Sequence, residues 1–184
     1  MMPAWTLKNG DSILIRPIRP EDESRMVAFH QTLSEETVFL RYAHLIKLSR
    51  RIAHDRLSRI CHPDSTEHVL VAIHASPNNT AEIIAVARLN QLDDPSEAEF
   101  AILVSDRFQH QGLGTELLHH LIAIARDHNM HRIFGEILPE NHGMEHICHH
   151  LGFRLRNDPN EDFVLAELEV DGGQTDDEWV GVRG

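Results

Sequence analysis

The segment that most constrains this chain runs Val104-Ser-Asp-Arg-Phe-Gln-His-Gln-Gly-Leu-Gly-Thr115. An apolar, strand-like stretch, Glu97–Val104 (EAEFAILV), enters a polar turn carrying Gly112 and Gly114. A helical pattern begins at once: Leu117, Leu118, Leu121, Ile122 and Ala125 share one face between Thr115 and Asn129. Glycine lets a backbone approach a ligand closely and adopt positive φ. The first amides of a helix lack intrahelical acceptors, and the helix dipole adds positive potential there. A strand, a glycine turn and a helix start therefore make a corner suited to a pyrophosphate. The spacing is neither the Walker A pattern, which needs a Lys-Ser/Thr pair, nor the Rossmann fingerprint.

The elements around this corner read as α+β. Ser12–Ile18 alternates and is β-branched, so it predicts a strand. Pro20 opens a helix with acids in its first turn and Met26, Val27, Phe29, His30 and Leu33 at helical spacing. Ser34 caps a second helix, and Ser49–Cys61 reads as a third, with Ile52, Leu57 and Ile60 inward. His68–Ala75 and Glu82–Leu89, joined by the turn-rich SPNNTA, predict an antiparallel hairpin. After the glycine corner come a strand at Arg132–Leu138, a helix at Asn141–Leu151 ended by Gly152, and a strand at Phe163–Val170. No repeat or linker interrupts this order. A single domain over residues 5–170 and an acidic, mobile tail over 171–184 are expected.

Composition narrows the function classes. The net charge is −12, and hydrophobic residues make up 41% of the 184, enough for a core. Acids crowd the chain from Glu161 onward, whereas bases cluster from Arg41 to Arg59. An acidic balance argues against nucleic acid and for cationic or protein partners. No apolar run nears the roughly 20 residues of a membrane span, and the N-terminus lacks the pattern of a secretion signal. The two cysteines, Cys61 and Cys148, form no disulfide framework, so the cytoplasm is the expected compartment. Monomer and dimer are both compatible with the sequence. His142, His146 and His150 lie four apart, but no clustered cysteine or carboxylate completes a metal set, and none is expected.

The pattern Gln109-x-x-Gly112-x-Gly114 after a strand resembles the acetyl-CoA pyrophosphate loop of GNAT acetyltransferases, and the element order is similar to their fold. Asn141 followed by Leu151-Gly152-Phe153 looks like the family's second cofactor-side segment. The stretch from Trp5 to Tyr42, with LSRICH after it, resembles the acetyltransferase domain of bacterial Pat-type protein lysine acetyltransferases. In many of those the domain follows a long acyl-CoA-ligase-like region, which this sequence lacks. The resemblance implies a three-layer α/β/α fold: a mixed, mostly antiparallel sheet of about six to seven strands, with a splayed central pair. It also implies that the Ile102, Leu103 and Val104 backbone pairs with the acetyl and pantetheine groups. Amides from Gln109, His110, Gln111, Gly112, Leu113, Gly114 and Thr115 would take the pyrophosphate, and Asn141 would contact the cofactor from the other side.

The chemistry implied is direct acetyl transfer from acetyl-CoA to a primary amine. A free lysine has a pKa near ~10.4, so a base or a water relay must remove a proton. Glu99 is the candidate, placed where the Pat-type pattern has a glutamate. Alternation puts Glu97, Glu99, Ala101 and Leu103 on one strand face. Such a strand face is as readily a solvent face, and the family likeness is what favours Glu99. The family often carries a tyrosine acid on the late helix; this chain has Cys148 there, leaving Cys148, His149 or water for that role. The acceptor expected is a protein lysine, for instance on an AMP-forming acyl-CoA synthetase. A small amine such as a polyamine or amino sugar, or a non-catalytic acyl-CoA sensor, are the alternatives.

Overall fold

The structure is a computed structural model, and it describes residues 4–75 and 80–170. The turn between the two hairpin strands and the acidic tail fall outside the described residues. Eight strands form one sheet: β1 (Ala4–Thr6), β2 (Ser12–Pro17), β3 (Glu67–Ala75), β4 (Ala81–Gln91), β5 (Glu97–Val104), β6 (Arg132–Ile137), β7 (Arg154–Asn157) and β8 (Val164–Glu169). Their order is β1-β2-β3-β4-β5-β6-β8-β7. Every pairing is antiparallel except β5 with β6. The helices are α1 (Glu23–Gln31), α2 (Glu35–Tyr42), α3 (Leu48–Arg51), α4 (His54–Cys61), α5 (Leu113–Asp127) and α6 (His142–His150).

Two cores lie on opposite faces of the sheet. On one, Ile13, Leu70, Leu89, Phe100 and Ile102 pack with Leu117, Leu118 and Leu121 of α5 and Cys148 of α6. On the other, Val71, Val86 and Leu103 pack with Met26 and Phe29 of α1, Val38 of α2 and Leu57 of α4. The result is the expected three-layer α/β/α sandwich. Each fully buried leucine contributes about 1.5–3 kcal/mol, so the leucine face of α5 anchors the glycine corner rigidly to β4 and β5.

Three expectations need correcting. The sheet has eight strands, against the six to seven expected. The extra ones are edge strands with little alternation to reveal them: β1 is three residues long, and β7 reads Arg-Leu-Arg-Asn. The single helix expected at Ser49–Cys61 is two, α3 and α4, separated by an extended Ala53 (φ −59°, ψ 133°). Ile52 and Leu57 are five residues apart, a step that no single helical face accommodates, and the break reorients them. Finally, Pro20–Asp22 forms one 3-10 turn, and α1 begins only at Glu23.

Ser34 caps α2 by accepting from the Thr37 amide, and Gly152 at φ +85° ends α6, both as the residue types require. Among the described residues no helix is long and apolar enough to cross a membrane.

Candidate active site

β5 and β6 start as neighbours and then part. Only Glu97, Ala98 and Glu99 pair with β6, opposite Arg132, Ile133 and Phe134, although β5 runs on to Val104. On its other side β5 stays paired with β4 through Val104. Backbone groups alternate in direction along a strand. The Ser105 amide bonds to Ile84 of β4, while the Ser96 carbonyl accepts from His131 and Arg132 on the β6 side. Even-numbered residues of β5 therefore aim their N–H and C=O groups away from β4. Those of Ile102 and the N–H of Val104 open into the splay.

The splay widens into a cleft of about 340 Å³. Glu99, Ile102, Leu103, Val104, Gln109, His110, Gly114 and Asn141 all line it, so the structure brings these sequence-predicted residues together. Gln111, Gly112, Leu113 and Thr115 form the turn behind Gly114 and do not line the cleft wall; the Leu113 side chain is in the core.

The glycine corner is built for an anion. His110 (φ 60°) and Gly112 (φ 87°) are left-handed, which folds successive amides toward one point. α5 starts at Leu113, two residues before the sequence suggested, with Gly112 as its N-cap and no side chain capping it. α2 and α6 differ in this respect, because Ser34 and Asn141 cap them. The amides of Leu113, Gly114 and Thr115 are thus left without a side-chain acceptor. A Cβ on Gly114 would stand 3.0 Å from the Ile147 terminal methyl, so a larger residue there must displace that methyl where α5 and α6 cross.

A polar network holds the corner in place. The Gln109 side chain donates to the Val104 carbonyl at 3.1 Å and to the Thr37 hydroxyl at 3.0 Å. Asp106 accepts from the Thr37 hydroxyl at 2.9 Å, from the Ser34 amide at 3.0 Å and from the Ser34 hydroxyl. Burial alone would raise the Asp106 carboxyl, but the Ser34 and Thr37 hydrogen bonds outweigh it and hold Asp106 below its usual range. Sequence reading missed Asp106 and Thr37. The only hint was the capping serine of α2, which gave no indication that it also reaches the loop 72 residues away.

Glu99 and Glu97 share a face but not an environment. Arg132 binds Glu97 at 2.9 Å and also binds Glu167, so Glu97 belongs to an ion network across β5, β6 and β8. The Glu99 carboxylate makes no hydrogen bond or ion pair with any described residue, and Glu99 lines the cleft. Glu36, Glu136 and Glu140 line the same cleft, together with Arg41. Desolvation, reinforced by the negative charges of Glu99 and Glu161, holds Glu136 above the usual carboxylate range. Asn141 lines the cleft, but its side-chain oxygen is occupied in capping α6 at Met144.

Cys148 does not reach the cleft. It is fully buried in the α5 and α6 core, and burial pushes its thiol up to about 12. That environment suits neither a nucleophile nor an acid for a departing thiolate. Among the described residues no group of three histidines, cysteines or carboxylates is placed to hold a metal ion.

A profile of the Acetyltransferase (GNAT) domain matches residues 12–154. The chain belongs to the GNAT acetyltransferase family. This GNAT acetyltransferase is 28% identical over 156 residues to an acetyltransferase of Pseudomonas aeruginosa, covering 85% of this chain and 82% of that one. It is 26% identical to the acetyltransferase Pat of Mycolicibacterium smegmatis, over 90% of this chain and 47% of that protein. The GNAT domain of S. lividans PAT superposes with a TM-score of 0.79 at 26% identity, covering 91% of this chain and 96% of that one. yncA of Salmonella typhimurium, solved with its cofactor acetyl-CoA, shares the fold at a TM-score of 0.61 and 19% identity, over 90% and 98% of the two chains. GNAT acetyltransferases draw their acetyl group from acetyl-CoA. The uncapped α5 amides, the left-handed pair His110 and Gly112, and the open backbone of β5 fit that cosubstrate.

Proposed function

We propose that this protein transfers acetyl directly from acetyl-CoA to the side-chain amine of a lysine in a partner protein, with Glu99 as general base. The observation that carries the reading is Glu99's position. It lies in the same cleft as the open β5 backbone and the glycine corner, and no described residue hydrogen-bonds its carboxylate.

The proposed roles follow from geometry. The corner from Gln109 to Thr115 holds the pyrophosphate through backbone amides. Strand β5 from Ile102 to Val104 extends its pairing to the pantetheine arm. When bound, acetyl-CoA supplies an activated thioester carbonyl. A backbone N–H of the splayed strand, at Ile102 or Val104, then donates to the oxygen that becomes negative in the tetrahedral intermediate. Glu99 takes the proton that makes the acceptor amine nucleophilic. With Cys148 buried, protonation of the leaving thiolate falls to water or to no group at all. Asn141 fixes the start of α6 along the cleft through its oxygen and contacts the cofactor through its side-chain amide NH2.

Two facts support a protein acceptor. The relatives named Pat are 26% identical to this chain over the stretches that align, and the cleft carries Glu36, Glu136 and Glu140, which attract a protonated amine. The buried, unpaired thiols Cys61 and Cys148 suit a reducing compartment, and the cytoplasm is the one proposed.

The test is acetyl transfer to a purified AMP-forming acetyl-CoA synthetase, read by peptide mass spectrometry with wild type and Glu99→Gln side by side. Lysine acetylation by wild type alone supports both acceptor and base. Acetylation of a polyamine or amino sugar instead, with the synthetase untouched, replaces the protein acceptor by a small amine.

A further inference from the structure

Beside the cleft, behind Arg41, lies a second recess of about 20 Å³, room for one water-sized atom. Its polar lining is His30 of α1, Arg41 and Tyr42 of α2, Arg56 of α4 and Arg88 of β4, and apolar side chains from α1, α4, β4 and β5 close the rest. Arg41, Ala101 and Leu103 also line the cleft, so the two spaces adjoin beside Arg41.

The polar groups of this recess are nearly all donors. Arg88 is paired with Glu67. Arg56 gives its protons to the Arg51 carbonyl at 2.9 Å, the Tyr42 hydroxyl at 2.9 Å and His30 Nε2 at 3.5 Å. Neighbouring Arg51 donates to the Ile46 and His30 carbonyls. Arg41 donates to no described residue and rests over the Tyr42 ring, 4.9 Å from its centroid. No described carboxylate lies within 4.0 Å of the guanidinium nitrogens of Arg41, Arg51 or Arg56.

His30 completes the pattern. An arginine has no acceptor, so His30 Nε2 must accept from Arg56, and the ring proton therefore sits on Nδ1. That Nδ1–H is buried and has no acceptor in the structure, in a residue only 2% exposed. Tyr42 accepts from Arg56, which leaves its own hydroxyl proton to give. Arg41, His30 and Tyr42, three residues that line the recess, thus each carry a donor that no described acceptor answers. Buried guanidinium without a counter-charge is costly, and an oxyanion relieves it through charge-assisted hydrogen bonds. Burial, and after it the charges of Arg88 and Arg56, already push Arg41 below its usual range, against the opposing pull of Tyr42 and Glu99.

We infer that Arg41 and the recess behind it form a subsite for one oxyanion carried by the acceptor, so that the preferred acceptor is an amine with a carboxylate or phosphate close by. One oxygen of the anion fills the recess, and the rest lies in the cleft against Arg41, while the amine reaches Glu99. In a protein acceptor this means a lysine presented next to an acidic side chain. The inference rests on the reading of Glu99 as the acceptor end of the cleft.

Two measurements test it. The first is steady-state acetylation of two single-lysine peptides, one with Asp and Glu flanking the lysine and one with Asn and Gln. For wild type the acidic peptide shows a KM at least tenfold lower with a similar kcat. Arg41→Gln abolishes the preference, and Arg41→Lys keeps part of it. Equal KM values in wild type, or a preference that survives Arg41→Gln, overturn the subsite. The second needs no turnover: thermal unfolding in sodium acetate against sodium chloride at one ionic strength. Acetate raises the wild-type midpoint by several degrees more than that of Arg41→Gln; general salt effects act on both proteins and cancel in the difference. Equal responses overturn the subsite. If neither peptide is acetylated, the lysine reading fails, and the acetate comparison alone decides whether the recess takes an anion.

Discussion

The side-chain amide of Gln109 sits 3.1 Å from the carbonyl oxygen of Val104, so the loop occupies the last outward-facing acceptor of β5 with its own donor. The same nitrogen reaches Thr37, and through Thr37 the corner is tied to Asp106. The loop is therefore pinned to both the strand it leaves and the helix that walls the cleft.

Gln109→Ala should loosen this tether without removing a backbone amide from the corner. A hydrogen bond of this kind contributes about 1 kcal/mol, so loss of both is expected to raise the acetyl-CoA dissociation constant by up to roughly thirtyfold. Isothermal titration checks it; an unchanged constant means that the loop holds its shape without Gln109.

Glu99→Gln should lower kcat by about 10²–10⁴-fold, the usual range for loss of a general base, and leave acetyl-CoA binding as it was. Glu97→Gln should do the reverse. It keeps most of kcat but lowers the unfolding midpoint, because it removes the negative charge that Arg132 pairs with at 2.9 Å. Similar kinetic losses in both variants would assign the effect to the strand rather than to the base.

Gly135→Ala places a Cβ 2.5 Å from the Phe100 ring, on the far side of the sheet from Glu99. Overpacking of this type costs about 1–3 kcal/mol. Phe100 also lines the cleft, so acetyl-CoA affinity should fall together with stability in a urea titration. Loss of one without the other would uncouple Phe100 from the site.

Acid should weaken the fold through His30. Burial, with help from Arg56 and Arg51, lowers this histidine from 6.5 to about 3. Between those values the unfolded chain binds a proton that the folded one refuses. Stability from this residue is therefore complete above pH 6.5 and declines as pH falls, by about 1.4 kcal/mol per unit. Urea unfolding at pH 7.5 and pH 5 should show a loss of about 2 kcal/mol that His30→Gln reduces. An identical pH response in the variant would place the acid sensitivity elsewhere.

Much of the site was legible in sequence because its signals are local. The glycine corner, the alternation of β5 and the cap at Ser34 each lie within a few residues, and periodicity reveals them directly. What stayed hidden depends on long-range contacts. Asp106 gains its role from Ser34 and Thr37, and Arg41 from helices and strands that meet only in the folded state. The cluster of bases from Arg41 to Arg59 does not show in sequence that Arg51 is buried and that Arg56 turns inward to Tyr42. Charge counts alone cannot distinguish these arrangements. The edge strands β1 and β7 went unseen for another reason: each is held by a single neighbour and needs little apolar patterning.

A strand with an unpaired rim is ordinarily a liability, because it offers itself as a template to any other extended chain. β5 has such a rim over the five residues past Glu99, but in the interior of the sheet, between walls from α2 and α6. Another protein's strand brings side chains on both faces and needs the full spacing between sheet neighbours. A slender molecule bearing amides along its length needs neither. The open edge of β5 therefore lies inside the sheet, walled by α2 and α6, and the protein keeps it for a thread-like molecule without presenting it at the rim where sheets polymerise.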